Sequence, residues 1–167
     1  MDSNQIYEIV RNSNILSSTF RGIHNVGTIQ NVRPVNGFLI VNVVDNPNIM
    51  GHWVLIFFRN STVYFFDSFG KLPVFYDVRL RNYINSFLSN KIVVYAKPIQ
   101  ANDSLVCGAY CLYNAYYMTL GRSVYNIKKK FKFTCKRLND RLVVIFVLKI
   151  YAKHSFNTFY SKRRNYI

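Results

Sequence analysis

Acidic side chains are scarce in this sequence. Six Asp and one Glu stand against 22 Lys and Arg, which leaves a formal net charge of +15. Such a surplus does not favour a compact fold, because like charges repel; it points to a polyanionic partner. Long apolar runs are also missing. The longest near the end, Leu142 to Leu148, stops at Lys149, well short of the roughly 18 residues a spanning helix needs, so no membrane partner is expected. The opening residues MDSNQIYEIV carry acids and no basic stretch, and no secretory signal is expected. The seven glycines are scattered, which excludes a glycine-rich phosphate loop. Three cysteines are too few, and odd in number, for a disulfide scaffold, and they suit a reducing compartment. Cys107-x3-Cys111 has no second pair and no histidine stands at ligand spacing to another, so no metal site is expected.

What is present is hydrophobic bulk. Half of the 167 residues are hydrophobic, with 13 Tyr and 14 Phe, enough for one packed domain and too little for two. The charge is uneven. Up to Gly121 there are 9 basic and 6 acidic residues, and from Arg122 onward 13 basic residues and one acid, Asp140. Composition therefore divides the chain into a near-neutral body, 1–121, and a basic segment, 122–167, packed on the same domain. The steepest stretch holds Lys128, Lys129, Lys130, Lys132, Lys136 and Arg137, with Phe131 and Phe133 between them, and a smaller cluster lies at Lys162-Arg163-Arg164. Cations interleaved with aromatics suit phosphate neutralisation with stacking, hence DNA. A solvated face over buried Phe131 and Phe133, or a localisation signal, is the competing reading.

Periodicity places the elements. Ile6, Ile9 and Val10 suggest a short opening helix. Phe38–Val44 reads as a buried strand ended by Asp45-Asn46-Pro47-Asn48, and Trp53–Phe58 as a second. A turn at Arg59–Thr62 leads into Val63–Phe66, giving a hairpin. Pro73 opens a helix with Phe75, Val78, Ile84 and Phe87 inward. Ile92–Tyr95 is a fourth strand, and Ser104 to about Leu120 a helix with Cys107, Cys111, Ala115 and Met118 on one face, stopped by Gly121. Residues 138–152 fit a helix or a strand. The order predicts an α+β fold, helices packed on a mostly antiparallel sheet.

Four residues at element ends make a chemical set. His52 opens the second strand and Asp67 follows the third, so the hairpin brings them together, where a carboxylate can fix the imidazole tautomer and raise its basicity. Cys107 lies in the first turn of a helix behind the capping candidates Asp103 and Ser104. A helix N-terminus and a nearby imidazolium favour the nucleophilic thiolate. Gln100, seven residues earlier, is placed to bind a developing oxyanion, and Gly108 to leave room for substrate backbone. Taken singly, each has a plainer reading: a buried small Cys, a structural His, a turn Asp. Cys111 and Cys135 fit buried roles, and neither His24 nor His154 has an acid placed to orient it.

Gly51-His52-Trp53, Tyr64-Phe65-Phe66-Asp67-Ser68-Phe69-Gly70, Gln100 and Cys107-Gly108-Ala109-Tyr110-Cys111 resemble the adenovirus endopeptidase (adenain) family, of the clan shared with SUMO-specific cysteine proteases. Phe20-Arg21-Gly22-Ile23 and Leu39-Ile40-Val41-Asn42 are similar too, so the resemblance spans residues 5–120. It implies a papain-like α+β site with Cys107 as nucleophile, His52 as base, Asp67 orienting it and Gln100 in the oxyanion hole. It further implies a monomeric endopeptidase that cuts virion precursors beside small residues such as Gly, in the virion and host nucleus, without an obligatory metal or cofactor but stimulated by DNA. The family also uses a peptide activator joined through a cysteine. No cysteine lies between His52 and Cys107, a departure that speaks against a covalent activator and is compatible with a non-covalent one. A protease acting on ubiquitin-like host conjugates, and a non-enzymatic basic DNA-binding virion protein, are the alternatives.

Overall fold

The computed structural model describes residues 1–33, 35–46, 51–87, 91–95 and 97–164, with side chains up to residue 152. Five strands form one sheet in sequence order: β1 (Phe20–Asn25), β2 (Gly37–Asn42), β3 (Trp53–Arg59), β4 (Thr62–Phe66) and β5 (Lys91–Tyr95). The central pairs β2–β3 and β3–β4 are antiparallel, and the outer pairs β1–β2 and β4–β5 are parallel. Among the described residues there are six α-helices: α1 (Ser3–Arg11), α2 (Asn14–Thr19), α3 (Val78–Asn85), α4 (Cys107–Thr119), α5 (Val124–Lys128) and α6 (Lys136–Arg164).

Both faces of the sheet are covered, which is why β2 and β3 read as unbroken apolar runs. Phe38, Ile40, Leu55, Phe57 and Phe66 face α1, α4 and α6. Leu39, Val41, Val54, Ile56, Val63 and Phe65 face Leu80, Tyr83 and Ile84 of α3. Alternate residues of one strand thus enter two cores, as the pleat requires. α1 starts with a capping box, in which Asp2 accepts from the Gln5 N–H at 2.9 Å and Gln5 accepts from the Asp2 N–H at 3.0 Å. It buries Ile6, Ile9 and Val10.

Several expectations change in detail. Arg59 pairs with Thr62, so the β3–β4 turn has two residues rather than four, and both, Asn60 and Ser61, take positive φ. β2 ends at Asn42, and the turn expected at 45–48 lies partly outside the described residues. The helix expected from Pro73 is a single 3-10 turn, Pro73–Phe75, followed after Tyr76-Asp77 by α3. Asp77 caps α3 through the Arg79 N–H at 2.8 Å, and this reset leaves Phe75 71% exposed while Ile84 and Phe87 are buried. Residues 138–152 are helical. α6 packs on α4 through an aromatic cluster in which Phe146 lies 5.0–6.0 Å from the rings of Tyr113, Tyr116 and Tyr117. Three of these elements were not anticipated, α2, β1 and α5. β1 carries Gly22 at φ 130° and shows no burial alternation, so period gives no signal there.

Candidate active site

The start of β3, the turn after β4 and the first residue of α4 meet at one end of the sheet. His52 immediately precedes β3. Its Nε2 bonds Asp67 Oδ1 at 2.6 Å. Asp67 lies just beyond the last registered pair, Leu55 with Phe66, and is fully buried. The chain wraps round its carboxylate: the Phe69 N–H donates to Oδ1 at 2.9 Å, the Lys71 N–H to Oδ2 at 2.9 Å and the Tyr76 hydroxyl to Oδ2 at 2.6 Å. Gly70 closes this turn at φ 72°, where a Cβ would stand 2.6 Å from the Pro98 nitrogen, so only glycine is accommodated. Four donors hold the charge in place. Burial works against an ionised Asp67, but His52, Tyr76 and the Phe69 N–H outweigh it and hold the carboxyl below its ordinary value.

With Nε2 committed to Asp67, Nδ1 is the ring nitrogen left free; it is buried and has no hydrogen-bond partner among the described residues. Burial favours neutral imidazole, yet the Asp67 bond and the nearby Asp67 and Cys107 groups prevail, and the His52 pKa rises to about 9. The thiol shifts the other way. Burial raises the Cys107 pKa, but the imidazole, the Trp53 N–H (3.5 Å from Sγ) and the Gly108 N–H lower it overall. The two shifts together favour thiolate and imidazolium, the reactive ion pair. Cys111, one turn on, differs. It is completely buried, burial pushes its pKa well up, and its thiol donates to the Trp53 carbonyl at 3.5 Å.

The expected caps are not caps. α4 begins at Cys107 behind Val106, which supplies no side-chain bond, leaving first-turn N–H groups for an anion. Asp103 instead forms an ion pair with Arg137. Gly108 does not face a substrate either. A Cβ there would meet Met1 Sδ at 3.1 Å and Ile6 Cδ1 at 3.4 Å, so its small size admits α1 against α4. Gln100 is fully buried; its Oε1 accepts from the Ser68 hydroxyl at 2.6 Å and its Nε2 donates to the Ser104 carbonyl at 2.7 Å. One amide hydrogen of Gln100 is thereby left over. His52, Trp53, Gln100 and Cys107 all line a cleft of about 1050 Å³. Tyr76 and Ser68, which brace Asp67 and Gln100, gave no signal in the sequence: a lone Tyr and a turn Ser fit any surface loop.

The basic stretch is dispersed. Lys128 lies over the Tyr95 ring at 4.4 Å and Lys129 over the Tyr125 ring at 4.5 Å. Lys136 bonds Asn102 at 3.5 Å, and Arg137 is paired with Asp103. Lys130 and Lys132 are exposed. Of the two interleaved aromatics, Phe131 belongs to the core, whereas Phe133 is 44% exposed with Lys97 over its ring at 5.1 Å. The side chains of Lys162, Arg163, Arg164 and His154 lie outside the described residues. His24 lines the far side of the cleft, and burial lowers its pKa despite a backbone bond at Arg21. Among the described residues no His, Cys, Asp and Glu group could hold a metal ion, and no helix is long and apolar enough to cross a membrane.

No protein-family model and no curated protein matches the sequence. Solved structures do. The ASFV pS273R protease aligns with a TM-score of 0.56 at 13% identity, over 75% of this chain and 60% of that one. ChlaDub1 from Chlamydia trachomatis aligns with a TM-score of 0.60 at 12% identity, over 93% of this chain and 91% of that one. The chain shares its fold with these two proteins. It spans about 60% of the length of the ASFV protease. On this fold His52, Gln100 and Cys107, singled out from the sequence, line one cleft, and Asp67 is buried behind His52.

The ion pair has a pH signature. Turnover is expected to fall on the alkaline side as His52 loses its proton near pH 9, and on the acid side as Cys107 is protonated below the ordinary thiol range. Iodoacetamide alkylation of Cys107 followed against pH checks this. A single rise at about 8.5, the value of a free thiol, would show that no pair forms.

Proposed function

We propose that this chain is a cysteine endopeptidase. The observation that carries the reading is the His52 Nε2 bond to a fully buried, four-fold bonded Asp67, on a cleft that His52 and the Cys107 thiol, its pKa lowered, both line. Cys107 thiolate attacks the scissile carbonyl, and the oxyanion is met by the α4 N-terminus and the spare amide hydrogen of Gln100. The imidazolium gives its proton to the leaving amine. Neutral His52 then takes a proton from the water that hydrolyses the thioester, and the thiolate is restored.

The finer reading is that the substrates are virion precursor proteins cut next to small residues such as Gly, and that DNA stimulates the reaction at the site of particle assembly. It is supported by the motif resemblance and by the surplus of 13 basic residues over one acid after Gly121. The non-catalytic DNA-binding alternative gives no use to a thiol of lowered pKa beside the His52–Asp67 pair in an open cleft. The test is cleavage of a fluorogenic peptide library with Gly at the scissile bond, with and without duplex DNA. Cleavage that rises with DNA and loses this stimulation at high salt supports the reading. Cleavage of folded ubiquitin-like proteins after Gly-Gly, indifferent to DNA, favours the host-conjugate alternative instead.

A further inference from the structure

We propose that Asn139 and Asp140, in the first turns of α6, are positioning residues that fix Gln100 for oxyanion binding. This rests on the protease reading above. The Gln100 loop has no strand of its own to sit in. On one side it hangs on the turn after Asp67: the Ile99 and Gln100 N–H groups both donate to the Ser68 carbonyl, at 2.9 and 3.1 Å. On the other side its partners come from α6. Asn139 Nδ2 donates to the Ile99 carbonyl at 2.9 Å, and Asp140 Oδ1 accepts from the Ala101 N–H at 3.5 Å. The residues immediately before and after Gln100 are thus both gripped by two successive residues of one helix.

The grip is itself built in. Asn139 is 2% exposed and fixed by Lys132, whose N–H donates to Oδ1 at 2.8 Å and whose carbonyl accepts from Nδ2 at 2.8 Å. Asp140 is 7% exposed and lies 2.9 Å from the hydroxyl of Tyr110, on α4 itself. That hydroxyl also reaches the Ile99 carbonyl at 3.0 Å. Helix α4, which carries Cys107, and helix α6 therefore hold the same three-residue loop. Burying an Asn and an Asp this deeply is costly without matched partners, and each has one in this loop: the Ile99 carbonyl for Asn139 and the Ala101 N–H for Asp140. The only acid of the basic segment is spent here rather than on a neighbouring Lys or Arg.

Gln100 acts when negative charge develops on the substrate oxygen, so a displaced Gln100 lowers kcat and leaves KM nearly unchanged. The experiment is a double-mutant cycle of Asn139→Ala and Gln100→Ala, with Asp140→Ala and Asp140→Asn alongside. Cys107 alkylation and amide hydrogen exchange of residues 99–104 are measured on every variant. Asn139→Ala and Asp140→Ala are expected to lower kcat on the order of 10- to 100-fold. Asp140→Asn, which keeps the acceptor oxygen, stays close to wild type and guards against misfolding as the cause. Alkylation is unchanged, and exchange at 99–104 accelerates while the sheet stays protected. In the Gln100→Ala background the Asn139→Ala loss shrinks to about 2-fold or less, because the two residues act as one unit. Full additivity, or unchanged exchange at 99–104, overturns the assignment. Should the wild type cleave no peptide at all, the protease reading fails separately, and the exchange data alone decide whether α6 holds the loop.

Discussion

Cys107→Ala is expected to reduce turnover by about 10⁴-fold or more, with substrate affinity and fold retained. The acylation step has no substitute nucleophile. Cys111 is the nearest other sulfur in the sequence, but its thiol is fully buried, bonded to the Trp53 carbonyl and held protonated by burial. Cys135 sits in the bend before α6, away from the cleft lining. Structurally the change is small. Cys107 is 8% exposed, and the alanine loses one sulfur and the acceptor of the Trp53 N–H, a cost of about 1 kcal/mol. Single-turnover kinetics with a peptide ester, beside a thermal melt, measures both parts. Residual turnover above about 1% of wild type would place the nucleophile elsewhere.

Asp67→Asn is expected to combine a loss of turnover on the order of 10²- to 10³-fold with a measurable loss of stability. Both Asp67 oxygens accept only: Oδ1 from His52 and the Phe69 N–H, Oδ2 from the Lys71 N–H and Tyr76. Either rotamer of the amide therefore sets an NH2 against a donor in a buried site, a penalty of about 2 kcal/mol. The missing charge also removes the main support of the raised His52 pKa. The imidazolium is then lost at lower pH, so the alkaline limb of the rate profile moves from about pH 9 toward neutrality. Kinetics across pH 5–10 against chemical denaturation separates the two effects. An unchanged alkaline limb would mean that something other than Asp67 sustains the imidazolium.

Much of this arrangement was legible in the sequence because strand ends are easy to locate. Trp53–Phe58 and Val63–Phe66 are short apolar runs with polar stops, so the hairpin and the convergence of His52 with Asp67 followed from counting. The two-residue turn was not readable, because Asn60 and Ser61 carry no glycine to announce positive φ. The central antiparallel strands were anticipated; β1, interrupted by Gly22, was not. The least legible residues are Asn139 and Asp140. In a helix rich in Lys and Arg, a neighbouring Asn and Asp read as solvent-facing, and only tertiary contacts some 40 positions away show that they point inward. The basic composition was plain, but composition cannot tell which cations already have partners, and Arg137 with Asp103 is such a case.

The 40-residue span between the Gln100 loop and its partners on α6 also orders events during synthesis. Elongation at about 5–20 residues per second separates the appearance of Gln100 from that of Asp140 by roughly 2 to 8 s. Within that interval the emerging polypeptide gains its thiol beside the histidine and carboxylate already made, but the Gln100 loop lacks its moorings on α6. Under the proposed protease reading a newborn chain is thus poorly equipped to cut itself or its neighbours on the same messenger until α6 is made.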